Sequence, residues 1–211
     1  MAILEFVLYT VKSEALDAVR THNNKTYRAL SQWDGFLSGA TFQSLENPNT
    51  FVDYYLWSGM EQARKAAELF KSAPEARDFL DCISETIVFQ HFEAAGDPPS
   101  FTNSDEGNAF EVAISIVDPA KRETYNSVKP ELMALVRQEE GFREMASFEA
   151  ETDEGLLCLD VMRWQSADAA ARAMEHIHHT EQCGLFMETF KQSVFFDHMR
   201  LVPKSERAVV G

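Results

Sequence analysis

Positive charge is scarce in this chain. Nineteen Lys and Arg stand against 34 Asp and Glu, leaving a net charge of −15 over 211 residues. A surface of that sign repels phosphate backbones, which argues against nucleic acid as a partner. Long apolar runs are missing too. None approaches the ~18 residues of a membrane-spanning helix, so no membrane partner is expected. The opening "MAILEFVLYTVKSE" has no basic stretch before its apolar residues and meets Glu5 early, so it reads as a strand rather than a leader peptide. Cysteine is sparse. Cys82, Cys158 and Cys183 are odd in number, far apart and never in a C-x-x-C pair. They give no disulfide framework and fit a reducing cytoplasm. A Gly-rich phosphate loop, a nucleophile elbow and an H-E-x-x-H motif are all absent.

What the sequence does contain is a second copy of itself. "EFVLYTVK" from Glu5 matches "EVAISIVD" from Glu111, and "WDGF" from Trp33 matches "EEGF" from Glu139, both at an offset of 106. Past the next turn the offset becomes 107. "DYYLWSG" from Asp53 then meets "DVMRWQS" from Asp160, and "TIVFQHF" from Thr86 meets "SVFFDHM" from Ser193. Asp lies on Asp, Trp57 on Trp164, Phe89 on Phe196 and His91 on His198.

The periodicities within each copy predict one series of elements. In the first copy these are a strand at 3–12, a helix capped by Ser13 and running to about Trp33, and strands at 36–46 and 51–57. A helix from Met60, interrupted near Pro74, and a strand at 84–92 complete it. The second copy repeats this: strand 109–117, helix 120–139, strands 142–152 and 156–164, helix 166–182, strand 192–202. Twice over, the order is βαββαβ, the ferredoxin-like pattern, an α+β class. Residues 1–95 and 108–203 make the two repeats. Residues 96–107, rich in Pro, Gly and Ser, read as an exposed linker, and 204–211 as a loose tail. The fourth strands are apolar on both faces, as strands covered on both sides are. Packing the two sheets against each other within one chain is the economical way to cover them.

With Gly35-Phe36 and Gly141-Phe142 opening the second strands, Trp57-Ser58 and Trp164-Gln165-Ser166 closing the third, and Ala-rich helices following, the chain resembles the antibiotic biosynthesis monooxygenase-like branch of the dimeric α+β barrel superfamily. The resemblance covers nearly the whole chain, twice. It implies a pseudo-dimeric α+β barrel made by one chain, either monomeric or paired as a homodimer. It also implies a cofactor-independent monooxygenase-like activity on a small aromatic or polyketide-type compound. The alternative is a non-catalytic module of the same fold that binds a small hydrophobic molecule or a protein partner. Heme-degrading members resemble a different pattern, with Asn on the first strand and Trp and His on the second helix. Neither first strand here holds Asn and neither second helix holds Trp, so no heme and no other cofactor is expected.

Candidate site residues fall into two groups. "EHIHHTEQCG" places His176, His178 and His179 on one helix. His178 matches the solvated Lys71, and His179 also falls on the surface. His176 matches Leu69 on the flank of the apolar stripe, which suggests an inward imidazole able to act as a base. A metal held by His176 and His179, with Cys183 as a third ligand, is the competing reading. The cluster has no counterpart in the first copy, and no metal is expected. The second group is the repeated triple: Asp53, Trp57 and His91, then Asp160, Trp164 and His198. Residues four apart on a strand share a face. His91 would sit two strand spacings from Asp53, across one cavity. A purely structural role, with Trp as a core plug, fits the same residues. The expected arrangement is a base in the second copy, His176 with Trp164 and His198. Asp160, Asp53, Trp57, His91 and Tyr55 would contact substrate, and the first copy's aromatic cluster would serve mainly as packing.

Overall fold

The computed structural model describes residues 1–94 and 96–204. It comprises two compact units, Met1–Glu106 with residues 201–204, and Gly107–Arg200. In unit one, β1 (Ile3–Val11) leads through a single 3-10 turn into α1 (Leu16–Leu30). Then come β2 (Phe36–Ser44), β3 (Thr50–Trp57), α2 (Met60–Phe70), α3 (Pro74–Cys82) and β4 (Ile83–Glu93). Unit two repeats the order with β5 (Ala109–Val117), α4 (Arg122–Val136), β6 (Phe142–Thr152), β7 (Gly155–Trp164), α5 (Ala167–His178), α6 (Glu181–Met187) and β8 (Phe190–Leu201). Each unit has four antiparallel strands, in the order β4-β1-β3-β2 and β8-β5-β7-β6. The first strand of each unit therefore lies between its third and fourth, as the ferredoxin-like pattern requires.

The repeated "GF…W" has a structural cause. Gly35 and Gly141 take φ of +80° and +89°, a left-handed conformation costly for a side chain with Cβ. A Cβ at Gly35 would lie 2.4 Å from Gln62 Cγ, and one at Gly141 2.6 Å from the Ala169 Cβ. The carbonyl of each glycine accepts a 2.7 Å bond from the residue after the Trp, Ser58 or Gln165. Phe36 then meets Trp57 edge to face at 5.4 Å, and Phe142 meets Trp164 at 5.5 Å. These pairs lock the ends of the second and third strands, and both Trp side chains are fully buried.

Several local expectations need correction. Ser13 caps nothing: it opens the 3-10 turn Ser13–Ala15, and no side chain caps α1. The corresponding turn of unit two is capped, by the Asp118 carboxylate accepting from Ala120 N. The long helix expected at 166–182 breaks after His178, because Thr180 caps a new helix through Cys183 N. Pro74 starts the equivalent helix in unit one. The linker is not wholly exposed. Phe101 is buried against Phe42 and Tyr54, and Asp105 is buried in a capping box with Thr102. The expected tail lies outside the described residues apart from Lys204, which exchanges hydrogen bonds with Asn103. The fourth strands are not covered on both sides, since Ile87, Phe89 and Phe196 are 42%, 49% and 47% exposed. Among the described residues no helix is long and apolar enough to cross a membrane.

The strands of unit one divide their side chains by parity. Leu4, Phe6, Leu8, Val52 and Tyr54 point to one face and are buried. Glu5, Val7, Tyr9, Asp53 and Tyr55 point to the other, toward the helices, where the packing is incomplete.

Candidate functional site

Each unit holds a cavity between its sheet and its own helices. That of unit one has a volume of about 570 Å³, and that of unit two about 350 Å³. Their floors correspond position by position. Val7 pairs with Asp53 and Phe89 across the strands of unit one; Ala113 pairs with Asp160 and Phe196 in unit two. One row along, Glu5 lies between Tyr55 and His91, and Glu111 between Met162 and His198.

In unit one the central acid has only neutral partners. Asp53 is 2% exposed. Its Oδ1 accepts from Thr41 Oγ1 at 2.5 Å and Asn23 Nδ2 at 3.3 Å. Burial pushes its carboxyl up to about 6, and these hydrogen bonds limit the rise. Tyr9 and Tyr55 also line the cavity. Their hydroxyls are sealed from solvent and lie close enough to couple to the Asp53 carboxylate. Burial, then the neighbouring Asp53 charge, pushes both phenols well above their ordinary range, so they remain donors. Across the floor, His91 Nε2 lies 2.8 Å from Glu5 Oε2, and both side chains line the cavity. Phe89 stands at the mouth with its ring edge-on to His91.

Unit two keeps the acid and changes its partners. Asp160 Oδ1 accepts from Ser147 Oγ at 2.5 Å and meets Lys129 Nζ at 3.0 Å. Lys129 also donates to Tyr125 Oη at 2.8 Å and lies 3.8 Å from Glu149. Ser115 and Met162 stand where unit one has Tyr9 and Tyr55. His198 Nε2 is 3.2 Å from Glu111 Oε2, repeating the His–Glu contact.

The structure thus unites Asp53, Tyr55 and His91 in one cavity and puts Asp160 in the other. It does not gather His176, Trp164 and His198. The His176 side chain is 72% exposed, bound to Glu139 at 2.6 Å, and outside the cavity. The reason lies in its counterpart: Leu69 is itself 49% exposed, so that helix flank faces water in both units. His178 and His179 are exposed too, although His178 reaches the cavity rim. Trp57 and Trp164 are buried beyond the cavities as strand-end plugs. Cys183 is buried in unit two. Among the described residues no three His, Cys, Asp or Glu side chains converge as metal ligands. The first copy's aromatic residues are more than packing, because Tyr55 joins Tyr9 on the cavity wall. Tyr9, Asn23, Thr41, Lys129 and Ser147 escaped the sequence reading. The signal was present: Asn23 matches Lys129 and Thr41 matches Ser147 at the same offset of 106.

Neither a family model nor a curated protein matches this sequence. Solved structures match it over nearly its full length. An anthrone oxidase-like protein is 15% identical, with 95% of this chain and 91% of that chain covered and a TM-score of 0.74. A provisionally named monooxygenase from Fusobacterium nucleatum subsp. nucleatum ATCC 25586 is 10% identical, with 99% and 96% covered and a TM-score of 0.69. Chlorite dismutase from Candidatus Nitrospira defluvii is 9% identical, with 95% and 92% covered and a TM-score of 0.61. The chain shares their α+β fold, with one ferredoxin-like unit duplicated in a single polypeptide. At these identities the likeness is one of fold.

Proposed function

We propose that the protein is a cofactor-independent oxygenase of a small aromatic or polyketide-type compound, and that unit one carries the reaction. The observation behind this reading is Asp53, a buried carboxylate raised to about 6, facing a largely apolar cavity. A base poised there is mostly ionised at neutral pH and basic enough to take a proton from an acidic methylene or phenol. Tyr9 and Tyr55 set their hydroxyls beside it, where they can donate to the oxygen on which the substrate anion's charge collects. Asn23 and Thr41 hold the carboxylate in place. His91, oriented by Glu5, forms the opposite wall. Two of the structural neighbours are named for oxidation chemistry of this kind, one of them for an anthrone, which has an acidic methylene between two rings.

The chemistry closes without a further group. Asp53 removes a C–H proton, and the resulting carbanion passes one electron to dioxygen. The two radicals join as a peroxide anion, which takes up the proton to become a hydroperoxide and then loses water. One methylene and one dioxygen give one carbonyl and one water. Oxygen uptake with anthrone as the trial substrate tests the reading. Uptake by the wild type is expected, with loss of about 100-fold or more in Asp53→Asn. Equal rates in the two proteins would contradict it.

A further inference from the structure

The cavity of unit two lacks the groups that make unit one reactive, yet it has not closed. About 350 Å³ remain above the floor formed by Glu111, Ala113 and Asp160. We propose that this cavity is a second, separate binding site for a neutral, apolar small molecule. The inference does not rest on the reaction assigned to unit one.

Charge is the first argument. The ionic groups of the cavity are already bound by protein partners. Asp160 has Lys129 and Ser147, Lys129 also has Tyr125, and Glu111 has His198. Among the described residues that line it, a ligand carboxylate or phosphate would find no Lys or Arg and only the His178 imidazole at the exposed rim, and an ammonium would have to displace Lys129 from Asp160. The second argument is the wall. It is largely apolar, and Met133, Met162, Met174, Phe186, Phe195 and Phe196 are among the residues that form it. Methionine's unbranched chain and polarizable sulfur adapt to ligands of different outline, and the phenyl rings suit flat ones. The third is the loss of donors. Where unit one has two buried phenols beside its acid, unit two has Ser115 and Met162, so the polar contacts left to a ligand are the short hydroxyls of Ser115 and Ser193 rather than a pair of phenols. Finally, Met187 and Phe196 are 48% and 47% exposed while lining the cavity, leaving an apolar rim in water. A bound apolar molecule would cover it.

The test is calorimetric titration of the full chain at pH 7 with three naphthalene probes. These are neutral 2-naphthol, anionic 2-naphthoate and cationic 2-naphthylmethylammonium. Ala113→Phe fills the floor of the second cavity, and Val7→Phe fills the equivalent place in unit one. Ala113→Leu is the milder substitute should the Phe variant fail to fold by circular dichroism. A 2-naphthol site that persists in Val7→Phe and disappears in Ala113→Phe or Ala113→Leu is the expected result. At that site both charged probes should bind at least tenfold more weakly. The proposal is overturned if the Ala113 variants leave binding unchanged, if Val7→Phe abolishes all binding, or if a charged probe binds the second site as tightly as 2-naphthol. A second site present while unit one binds nothing would support this inference and count against the reaction proposed for Asp53.

Discussion

Asp53 and Asp160 occupy the same point of two nearly identical scaffolds, each bound by a hydroxyl from the neighbouring strand. They differ in what the first helix sends down to them: the amide of Asn23 in one unit, the ammonium of Lys129 in the other. An amide satisfies hydrogen bonds without cancelling charge, so burial raises the Asp53 carboxyl and leaves it a base. An ammonium at 3.0 Å cancels the charge and holds the carboxylate in a network with Ser147, Tyr125 and Glu149. One substitution on a helix thus separates a group that can move a proton from one that holds its unit together. The neighbouring floor positions changed in the same sense, from Tyr9 and Tyr55 to Ser115 and Met162.

The contrast can be broken most severely at Asp53 itself. Beyond losing activity in Asp53→Asn, the wild-type kcat/KM should rise with pH through about 6 and then level off, because the ionised carboxylate is the active form. A profile flat between pH 5 and 8 would remove Asp53 as the base. Next in size is Asp160→Asn. Removing one partner of a buried ion pair strands Lys129, and chemical unfolding at pH 7.5 should show a loss of about 3 kcal/mol. Asp53→Asn should do the reverse. The folded-state carboxyl lies above its unfolded value of 3.8, so ionising it costs the folded protein stability. That cost is absent below about pH 4 and complete above about pH 6. Asp53→Asn should therefore match the wild type at pH 4 and exceed it by up to about 3 kcal/mol at pH 7.5, two pKa units' worth. Loss of stability in both variants would erase the distinction between the units. The smallest effect belongs to His176→Ala. An exposed histidine bound to one carboxylate should change stability by less than about 0.5 kcal/mol and leave oxygen uptake unaltered.

The duplication made much of this legible beforehand. Aligning the copies predicted the strand order, placed Asp53 opposite His91 across one cavity, and marked Trp57 and Trp164 as plugs or wall. The residues that distinguish the sites were less visible. Asn23, Thr41, Lys129 and Ser147 lie outside the four matched blocks, on a helix and a strand whose other positions diverged. Their meaning depends on the helix crossing over the third strand, a tertiary fact no local pattern carries. Tyr9 lay in plain view within "FVLYTV" but could be assigned to the helix-facing side only once Glu5 was. His176 misled because replacing a leucine suggests burial, and Leu69 is one of the exposed leucines. The phenylalanines of the fourth strands suggested a doubly covered strand for a similar reason. Phe89 and Phe196 are apolar because they edge the cavity mouths.

The most direct test is the titration of Asp53 followed through its side-chain carboxyl carbon by NMR, assigned by comparison with Asp53→Asn. The account predicts a midpoint near pH 6 in the ligand-free protein. A midpoint at the ordinary aspartate value near 4 would mean that the carboxylate is solvated or paired after all, and the division of labour between the two units would fall with it.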